Sequence, residues 1–149
     1  MENHNLERFI AAQKATFQDA ITEIRAGKKT SHWMWFIFPQ IQGLGFTEYS
    51  KFYAITDLSE AKEYLEHRVL GPRLVLIASE LLKLATRDPY MVFGSPDDLK
   101  LHSSITLFAE VPGSDPVFAQ VLKEYFNGLR DNKTLKVLAL LNNGQPNQF

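Results

Sequence analysis

Apolar residues recur every three or four positions along most of the chain, which is the spacing of amphipathic α-helices. Asn5 is placed to cap a first helix, and Gly27 is placed to end it. Gln13 lies on the apolar stripe of this helix, where it belongs either to the rim of the core or to a cleft. The apolar members of the stripe are Leu6, Phe9, Ile10, Phe17, Ala20, Ile21 and Ile24.

Capping residues and prolines mark further helix starts along the chain. Asp57 is followed three residues later by Glu60, which is the arrangement of a capping box. The expected starts are Thr47, Asp57, Gly71-Pro72, Asp88-Pro89, Ser95-Pro96, Asp115-Pro116 and Asp131 or Asn132. The pattern predicts an all-α fold, a compact single domain of seven to eight helices over residues 1–149, with loose tails at 1–4 and 143–149.

The segment HWMWFIFPQ, residues 32–40, has an ambiguous pattern. Its β-propensity suits a strand, but a strand needs partners and the rest of the chain offers few. We therefore predict a short buried helix that starts at a Ser31 cap and stops before Pro39. Met34, Phe36, Ile37 and Phe38 are expected to form an apolar plug on which the other helices pack.

Composition narrows the classes of function. The net charge is −1 and the pI is about 6.4, so nothing attracts the chain as a whole to nucleic acid or to an anionic membrane. The chain has no cysteine, which excludes disulfides and thiolate chemistry. It begins without a signal-peptide pattern and lacks an apolar run of about 18 residues. We expect a cytoplasmic protein that does not bind a membrane. Nucleic-acid binding is the least favoured function, and a clustered basic face would be needed to support it.

Metal and cofactor motifs are absent from the sequence. The four histidines, including His4 and His102, show no metal-ligand spacing. There is no GxGxxG or Walker sequence, and Gly94 to Pro96 reads as a helix start rather than a nucleophile elbow. We predict no metal site and no bound cofactor.

The first candidate site lies around the plug. Backbone N–H groups at the start of a helix bind anions, and adjacent lysines add positive charge. Tryptophan faces can stack on an aromatic ring, so a phosphorylated ligand with an aromatic part would suit this segment. The alternative is an apolar plug beside a solvated basic turn. The candidate ligand-binding residues here are Lys28, Lys29, Ser31, Trp33, Trp35 and Gln40.

The second candidate site is the helix that follows Pro96. Asp97, Lys100 and Ser104 share one face, where Asp97 could act as a general base and Lys100 could bind a ligand. Alternatively, Asp97 complements the helix dipole and Lys100 is its solvated partner. Ser104 lies in an apolar stretch, so it needs a partner or a pocket. With His32, which is otherwise a packed histidine, Asp97 and Ser104 are the candidate catalytic residues.

Arg73, near the Gly71-Pro72 helix start, is a further candidate. Its guanidinium could bind phosphate in a bidentate manner, or it could form an internal salt bridge to Glu63 or Glu66.

Several long motifs resemble one bacterial family. They are Ala12-Gln13, SHWMWFIFPQIQGLG at 31–45, YLEHxVLGPRL at 64–74, FGSPDDLKLxSSxTLF at 93–108 and TLKVL at 134–138. Together they resemble the domain-of-unknown-function 1810 family, some members of which carry a calpastatin label. The resemblance implies an all-helical, horseshoe-like fold and no established activity. Arg68 departs from the pattern, because the family is expected to have proline after the histidine. The helical layout and the polar, aromatic motif are also similar, by analogy only, to small helical proteins that process ADP-ribose.

Two functions remain open at this point. The first is a cleft between residues 32–35 and the helix that starts at Ser95 to Asp98. It would bind, and could hydrolyse, a phosphorylated nucleotide-like molecule related to ADP-ribose or NAD. The second is a non-enzymatic protein-interaction module with a concave helical face. A closed, polar-lined pocket would favour the ligand, and an exposed aromatic patch would favour the partner.

Overall fold

The computed structural model describes residues 5–143. The predicted tail at 1–4 lies outside this range, as do residues 144–149 of the tail predicted at 143–149. Within the described range the chain forms nine α-helices and no β-strand, which confirms the all-α single domain and exceeds the predicted number of helices. Residue 143, predicted to belong to the tail, ends the last helix. The helices are α1 Glu7–Arg25, α2 Met34–Ile37, α3 Glu48–Phe52, α4 Leu58–Glu66, α5 Leu70–Leu81, α6 Pro89–Phe93, α7 Asp97–Ala109, α8 Val117–Phe126 and α9 Asn132–Asn143.

Helix α7 is the centre of the packing. It contacts α4, α6, α8 and α9, while α5 contacts α1, α4 and α8 on the other side of the core. From Leu101 to Phe108 every side chain of α7 except His102 is buried, as expected for a helix that is surrounded by others. Beyond its first turn, α7 contributes the polar residues His102 and Ser103 to a surface cleft.

Four of the predicted helix caps are confirmed. Side-chain oxygens of Thr47, Asp57, Asp88 and Asp131 accept hydrogen bonds from backbone N–H groups in the first turn of α3, α4, α6 and α9. Asp115 does the same for the N–H of Val117 at the start of α8. These side chains satisfy N–H groups that the helix itself leaves unpaired.

Other predicted starts are wrong. Leu6, Trp33 and Pro96 occupy the N-cap positions of α1, α2 and α7, without a side-chain cap, in place of the predicted Asn5, Ser31 and Ser95. Helix α5 begins at Leu70, one residue before the predicted Gly71.

Glu60 does not complete the capping box that was predicted for α4. Its carboxylate accepts hydrogen bonds from the N–H and hydroxyl of Thr56 and pairs with Arg8 at 3.0 Å. The side chain therefore ties the segment before α4 to α1.

The HWMWFIF segment forms the predicted short helix, and the plug is confirmed. Met34, Phe36, Ile37 and Phe38 are all buried in the hydrophobic core. Four residues of helix without a side-chain cap are marginal alone, so contacts from other helices must hold α2 in place.

Gln13 supplies one of those contacts. Its side chain is 1% exposed, so it lies neither at a rim nor in a cleft. The amide Nε2 donates to the carbonyl of Phe36 at 2.7 Å and to the hydroxyl of Tyr64 at 2.9 Å. Burial is the larger effect on Tyr64 and raises the pKa of its phenol far above the usual range, so it stays protonated. Gln13 thus joins α1, α2 and α4 through one buried amide.

His67 forms the turn between α4 and α5. Its Nδ1 accepts hydrogen bonds from the N–H of Val69 at 3.0 Å and of Leu70 at 3.3 Å. The turn therefore forms with Arg68 in place of the proline that the family resemblance led us to expect.

We predict that Gln13→Leu lowers the free energy of unfolding by about 1–3 kcal/mol, because it leaves the buried carbonyl of Phe36 without its donor. Urea denaturation measures this difference. The control is Gln18→Leu, which changes an exposed glutamine of the same helix and should stay within about 0.5 kcal/mol of wild type. Equal losses in the two variants would show that the buried amide has no special role.

Candidate functional site

The carboxylate of Glu23, on α1, lies against the turn that precedes α2. Its Oε1 accepts hydrogen bonds from the N–H of Thr30 at 2.7 Å, the N–H of Ser31 at 3.0 Å and the indole Nε1 of Trp33 at 3.0 Å. Its Oε2 accepts from the Ser31 hydroxyl at 2.5 Å. Burial raises the pKa of Glu23, but the hydrogen bonds from Ser31, Thr30 and Trp33 together outweigh it and hold the pKa at about 2. Glu23 therefore remains ionised at neutral pH.

The hydrogen bonds to Glu23 occupy backbone donors of the predicted phosphate site. The backbone at Lys28 to Ser31 does present N–H groups to an anion, but the anion is the chain's own carboxylate. Lys28 and His32 are exposed beside the turn and line neither of the clefts described below. We conclude that this turn has a structural role, because its donors are already used.

Trp33 is a core residue and not a surface for stacking, since only 1% of it is exposed. The ammonium of Lys29 lies 4.9 Å from the centre of its ring. The same ammonium pairs with Asp97 Oδ2 at 2.8 Å, and the Lys29 side chain is 7% exposed. Trp33 and Lys29 are thus buried residues that hold Asp97 in position. Neither lines a cleft, so neither contacts a ligand directly.

Asp97 connects this layer to the surface. Its second oxygen lies 3.7 Å from the Nζ of Lys100, and that ammonium lies 5.4 Å from the ring centre of Trp35. Trp35 in turn packs edge-on against Tyr49, with ring centres 5.1 Å apart. One carboxylate therefore positions two lysines, each placed over a tryptophan. The structure brings together the two segments that the sequence placed on either side of a cleft.

A first cleft of about 370 Å³ opens beside this cluster. Its lining includes the aromatic residues Trp35, Phe46 and Tyr53 and the two lysines Lys51 and Lys100. The full lining is Met34, Trp35, Phe38, Gln40, Ile41, Gln42, Gly43, Gly45, Phe46, Ser50, Lys51, Tyr53, Ala54 and Lys100. The volume is within the range of small-molecule sites.

Gln40 lies at the centre of this region. Its backbone carbonyl accepts a hydrogen bond from the N–H of Ile55 at 2.8 Å, which fixes its position beside the parallel bridge between Ile41 and Ile55. Within residues 5–143 its side-chain amide makes no hydrogen bond, so the amide is free to bind a ligand.

A second cleft, of about 420 Å³, adjoins the first. The two share Gln40, Gly45, Phe46, Ser50 and Lys100. Its remaining lining residues are Leu44, Thr47, Pro96, Leu99, His102, Ser103, Asp131 and Lys133. We call the two clefts together the Lys100 groove.

Comparisons with known proteins give a family and a structural relative. A family model described as a protein of unknown function (DUF1810) matches residues 3–138. The chain belongs to this family. The structure is also similar to that of the conserved hypothetical protein Rv1873 from Mycobacterium tuberculosis, with a TM-score of 0.88 and 42% sequence identity over 90% of this chain and 96% of that one. No curated protein matches. The resemblance noted from the motifs is thus confirmed.

The predicted catalytic set is not assembled in this DUF1810 member. Ser104 lies about 10 Å further along α7 than Asp97, fully buried, and its hydroxyl has no hydrogen-bond partner. His32 is exposed outside the groove. Both oxygens of Asp97 face lysines. Neither Ser104 nor His32 lines the groove, so neither presents its side chain to a ligand there.

Arg73 also lies outside the groove. Its Nη1 donates to Gln13 Oε1 at 3.3 Å, and its guanidinium lies 5.3 Å from the ring centre of Phe17. Glu66, one of its two predicted partners, pairs with Lys62 instead. Arg73 thus extends the buried network around Gln13.

Several residues of the groove were not selected as site residues from the sequence, among them Phe46, Lys51 and Lys133. Asp131 was predicted only as a helix cap. Phe46 is 86% exposed, and it directly follows the glycine-rich stretch at 43–45. A large aromatic residue in such a turn, outside every helical stripe, was a usable signal. Lys51 and Lys133 lie on polar helix faces, where nothing in a single sequence separates a site from ordinary surface.

Residues 5–143 contain no cluster of three or more histidine, aspartate or glutamate side chains that could hold a metal ion. In the same range, no helix has the length and apolar character needed to cross a bilayer.

We predict that Glu23→Gln lowers the Tm at neutral pH by about 2–4 °C, since it weakens hydrogen bonds that a partly exposed carboxylate makes, worth about 1 kcal/mol after solvent screening. The pKa of Glu23 is lower in the folded chain than the usual 4.5. Its stabilisation is therefore complete above about pH 4.5 and is lost as the pH falls toward about 2.

The measurement is Tm against pH for wild type, Glu23→Gln and the control Asp19→Asn, which alters an exposed acid on the same helix. The difference between wild type and Glu23→Gln should shrink on acidification, while Asp19→Asn should differ little from wild type at neutral pH. A difference that is constant across this range would show that the Glu23 carboxylate does not hold the turn.

Proposed function

We propose that the Lys100 groove binds a phosphorylated, nucleotide-like small molecule of the ADP-ribose or NAD-related class. The observation that carries this proposal is the convergence of an aromatic wall, an ammonium and an amide without a partner. Trp35, Lys100 and Gln40 supply these groups in one cleft of ligand size. All three were among the residues selected from the sequence.

The aromatic part of the ligand has two rings available. Trp35 is held in place by Tyr49 and Lys100, so its indole forms a fixed side of the cleft. Phe46, which also lines the cleft, is largely exposed. A planar base that covers its ring would remove apolar surface from water, which is favourable. A base between these two rings would bury apolar area on both faces.

The phosphate has two cations available. The Lys100 side chain is about one-quarter exposed and only loosely paired with Asp97, at 3.7 Å, so it can turn toward an anion in the groove. Lys51 lines the same cleft and forms no ion pair within the described residues. Charge-assisted hydrogen bonds to phosphate are among the stronger polar contacts in proteins.

The proposal is one of binding and does not include hydrolysis. Asp97, the member of the predicted catalytic set nearest to the groove, holds Lys29 and Lys100 and is not among the lining residues. A carboxylate that contacts two lysines in this way is a positioning group.

We predict that AMP binds the wild-type chain and that Lys100→Ala weakens this binding at least about tenfold, the loss of one charge-assisted contact. Isothermal titration calorimetry measures the affinity. Trp35→Leu, which removes one of the two rings, should weaken binding by a similar factor.

The control is Lys28→Ala, which removes the same charge from the turn that the sequence first indicated. It should bind AMP as wild type does, because Lys28 does not line the groove. Unfolding curves check that Lys100→Ala remains folded. Absence of binding to wild type, or equal weakening by Lys28→Ala and Lys100→Ala, would refute the proposed site.

A protein partner is the second candidate, favoured by three exposed aromatic residues, Phe46, Tyr49 and Phe52, on the segment that ends in α3. Such an aromatic surface is typical of interaction sites. A photo-crosslinking residue at position 52, outside both clefts, would form a discrete protein adduct in the native host if a partner covers it. The same residue at Tyr90, an exposed aromatic position on α6, is the control.

A further inference from the structure

The second cleft of the groove differs chemically from the first. The lining of the first cleft includes the rings of Trp35 and Tyr53, which the second cleft lacks. The second is lined by Ser103, Asp131 and Lys133, and by the apolar side chains of Pro96 and Leu99. Since the two clefts share five lining residues, a single elongated molecule can enter both. This reasoning rests on the proposed function, because it assumes a ligand in the first cleft.

Asp131 decides what the second cleft can accept. Its Oδ2 accepts hydrogen bonds from the hydroxyls of Ser103 at 2.8 Å and Thr134 at 2.6 Å. Burial raises the pKa of Asp131, but these hydrogen bonds outweigh it and the net shift is downward, so the group is ionised at neutral pH. Its Oδ1 accepts no hydrogen bond within residues 5–143. A fixed carboxylate with one free oxygen accepts hydroxyl groups and repels phosphate.

The neighbouring groups fit a neutral, hydroxyl-bearing occupant. Lys133 lies in the first turn of α9, and it forms no ion pair within the described residues and can donate to a hydroxyl. His102 is not available, because its Nε2 lies 2.7 Å from the carbonyl of Leu129 and its ring stacks on Phe126 at 4.1 Å. Leu99 is exposed and offers an apolar face to the ring of a sugar.

Lys100 lies where the two clefts meet, and it is the cation that both contain. An anion bound there leaves one end of the ligand toward Trp35 and Phe46, and the other toward Asp131 and Lys133. We propose that the second cleft is a sugar subsite, so that the ligand class is a nucleoside diphosphate bearing a neutral, hydroxyl-rich group.

The test compares three probes by calorimetry on the full chain: AMP, ADP and ADP-ribose. Because Asp131 repels a terminal phosphate and accepts hydroxyls, ADP-ribose should bind at least about tenfold more tightly than ADP. Asp131→Asn keeps a side chain that caps α9 well and removes the charge. It should reduce the preference for ADP-ribose over ADP several-fold and leave the affinity for AMP unchanged.

Lys133→Ala should weaken ADP-ribose several-fold without affecting AMP, and Lys136→Ala, an exposed lysine of the same helix, should affect neither. If AMP binds and Lys100→Ala weakens it, but ADP and ADP-ribose bind equally and Asp131→Asn and Lys133→Ala act like Lys136→Ala, the sugar subsite is wrong and the first cleft stands. If none of the probes binds wild type, both proposals are wrong.

Discussion

The fold of the functional region depends on one internal anion, the carboxylate of Glu23. It accepts hydrogen bonds from the turn at Thr30 and Ser31 and from the indole of Trp33, so it fixes where the chain enters the core after α1. Helix α2 is only four residues long and could not hold this position alone. Gln13 completes the attachment from the same helix by donating to the carbonyl of Phe36. Helix α1 thus holds both ends of the aromatic segment.

From this attachment the geometry of the groove follows step by step. Trp33 lies under Lys29, Lys29 pairs with Asp97 at 2.8 Å, and Asp97 in turn faces Lys100. The buried pair is tight and the outer pair is loose, so the charge that remains available to a ligand is that of Lys100. Trp35 receives that lysine over its ring at the edge of the first cleft. A lysine lies over a tryptophan in both pairs, Lys29 with Trp33 and Lys100 with Trp35. The first pair is buried and supports the site, whereas the second is more exposed and can contact a ligand.

The sequence was sufficient to predict the all-α fold, but it did not determine which residues of the aromatic segment are buried. Helical periodicity and the Asp57, Asp88 and Asp131 caps depend on local spacing, which a single sequence records. The buried Trp33 donates its indole N–H to Glu23, ten residues earlier in the chain, and no local pattern contains that contact. Ser104 was selected because a polar residue in an apolar helix needs an explanation, and the structure places its hydroxyl in the core without a partner.

The most direct test follows the two indole N–H signals in the ¹H–¹⁵N NMR spectrum while AMP is added. The chain has two tryptophans, and the signals are assigned with Trp33→Phe and Trp35→Phe. We expect the Trp35 signal to shift in a saturable manner. The signal of Trp33, whose indole N–H is bound to Glu23, should stay in place together with the amides of Thr30 and Ser31. A shift confined to Trp33, Thr30 and Ser31 would place the anion at the turn and contradict the proposed site.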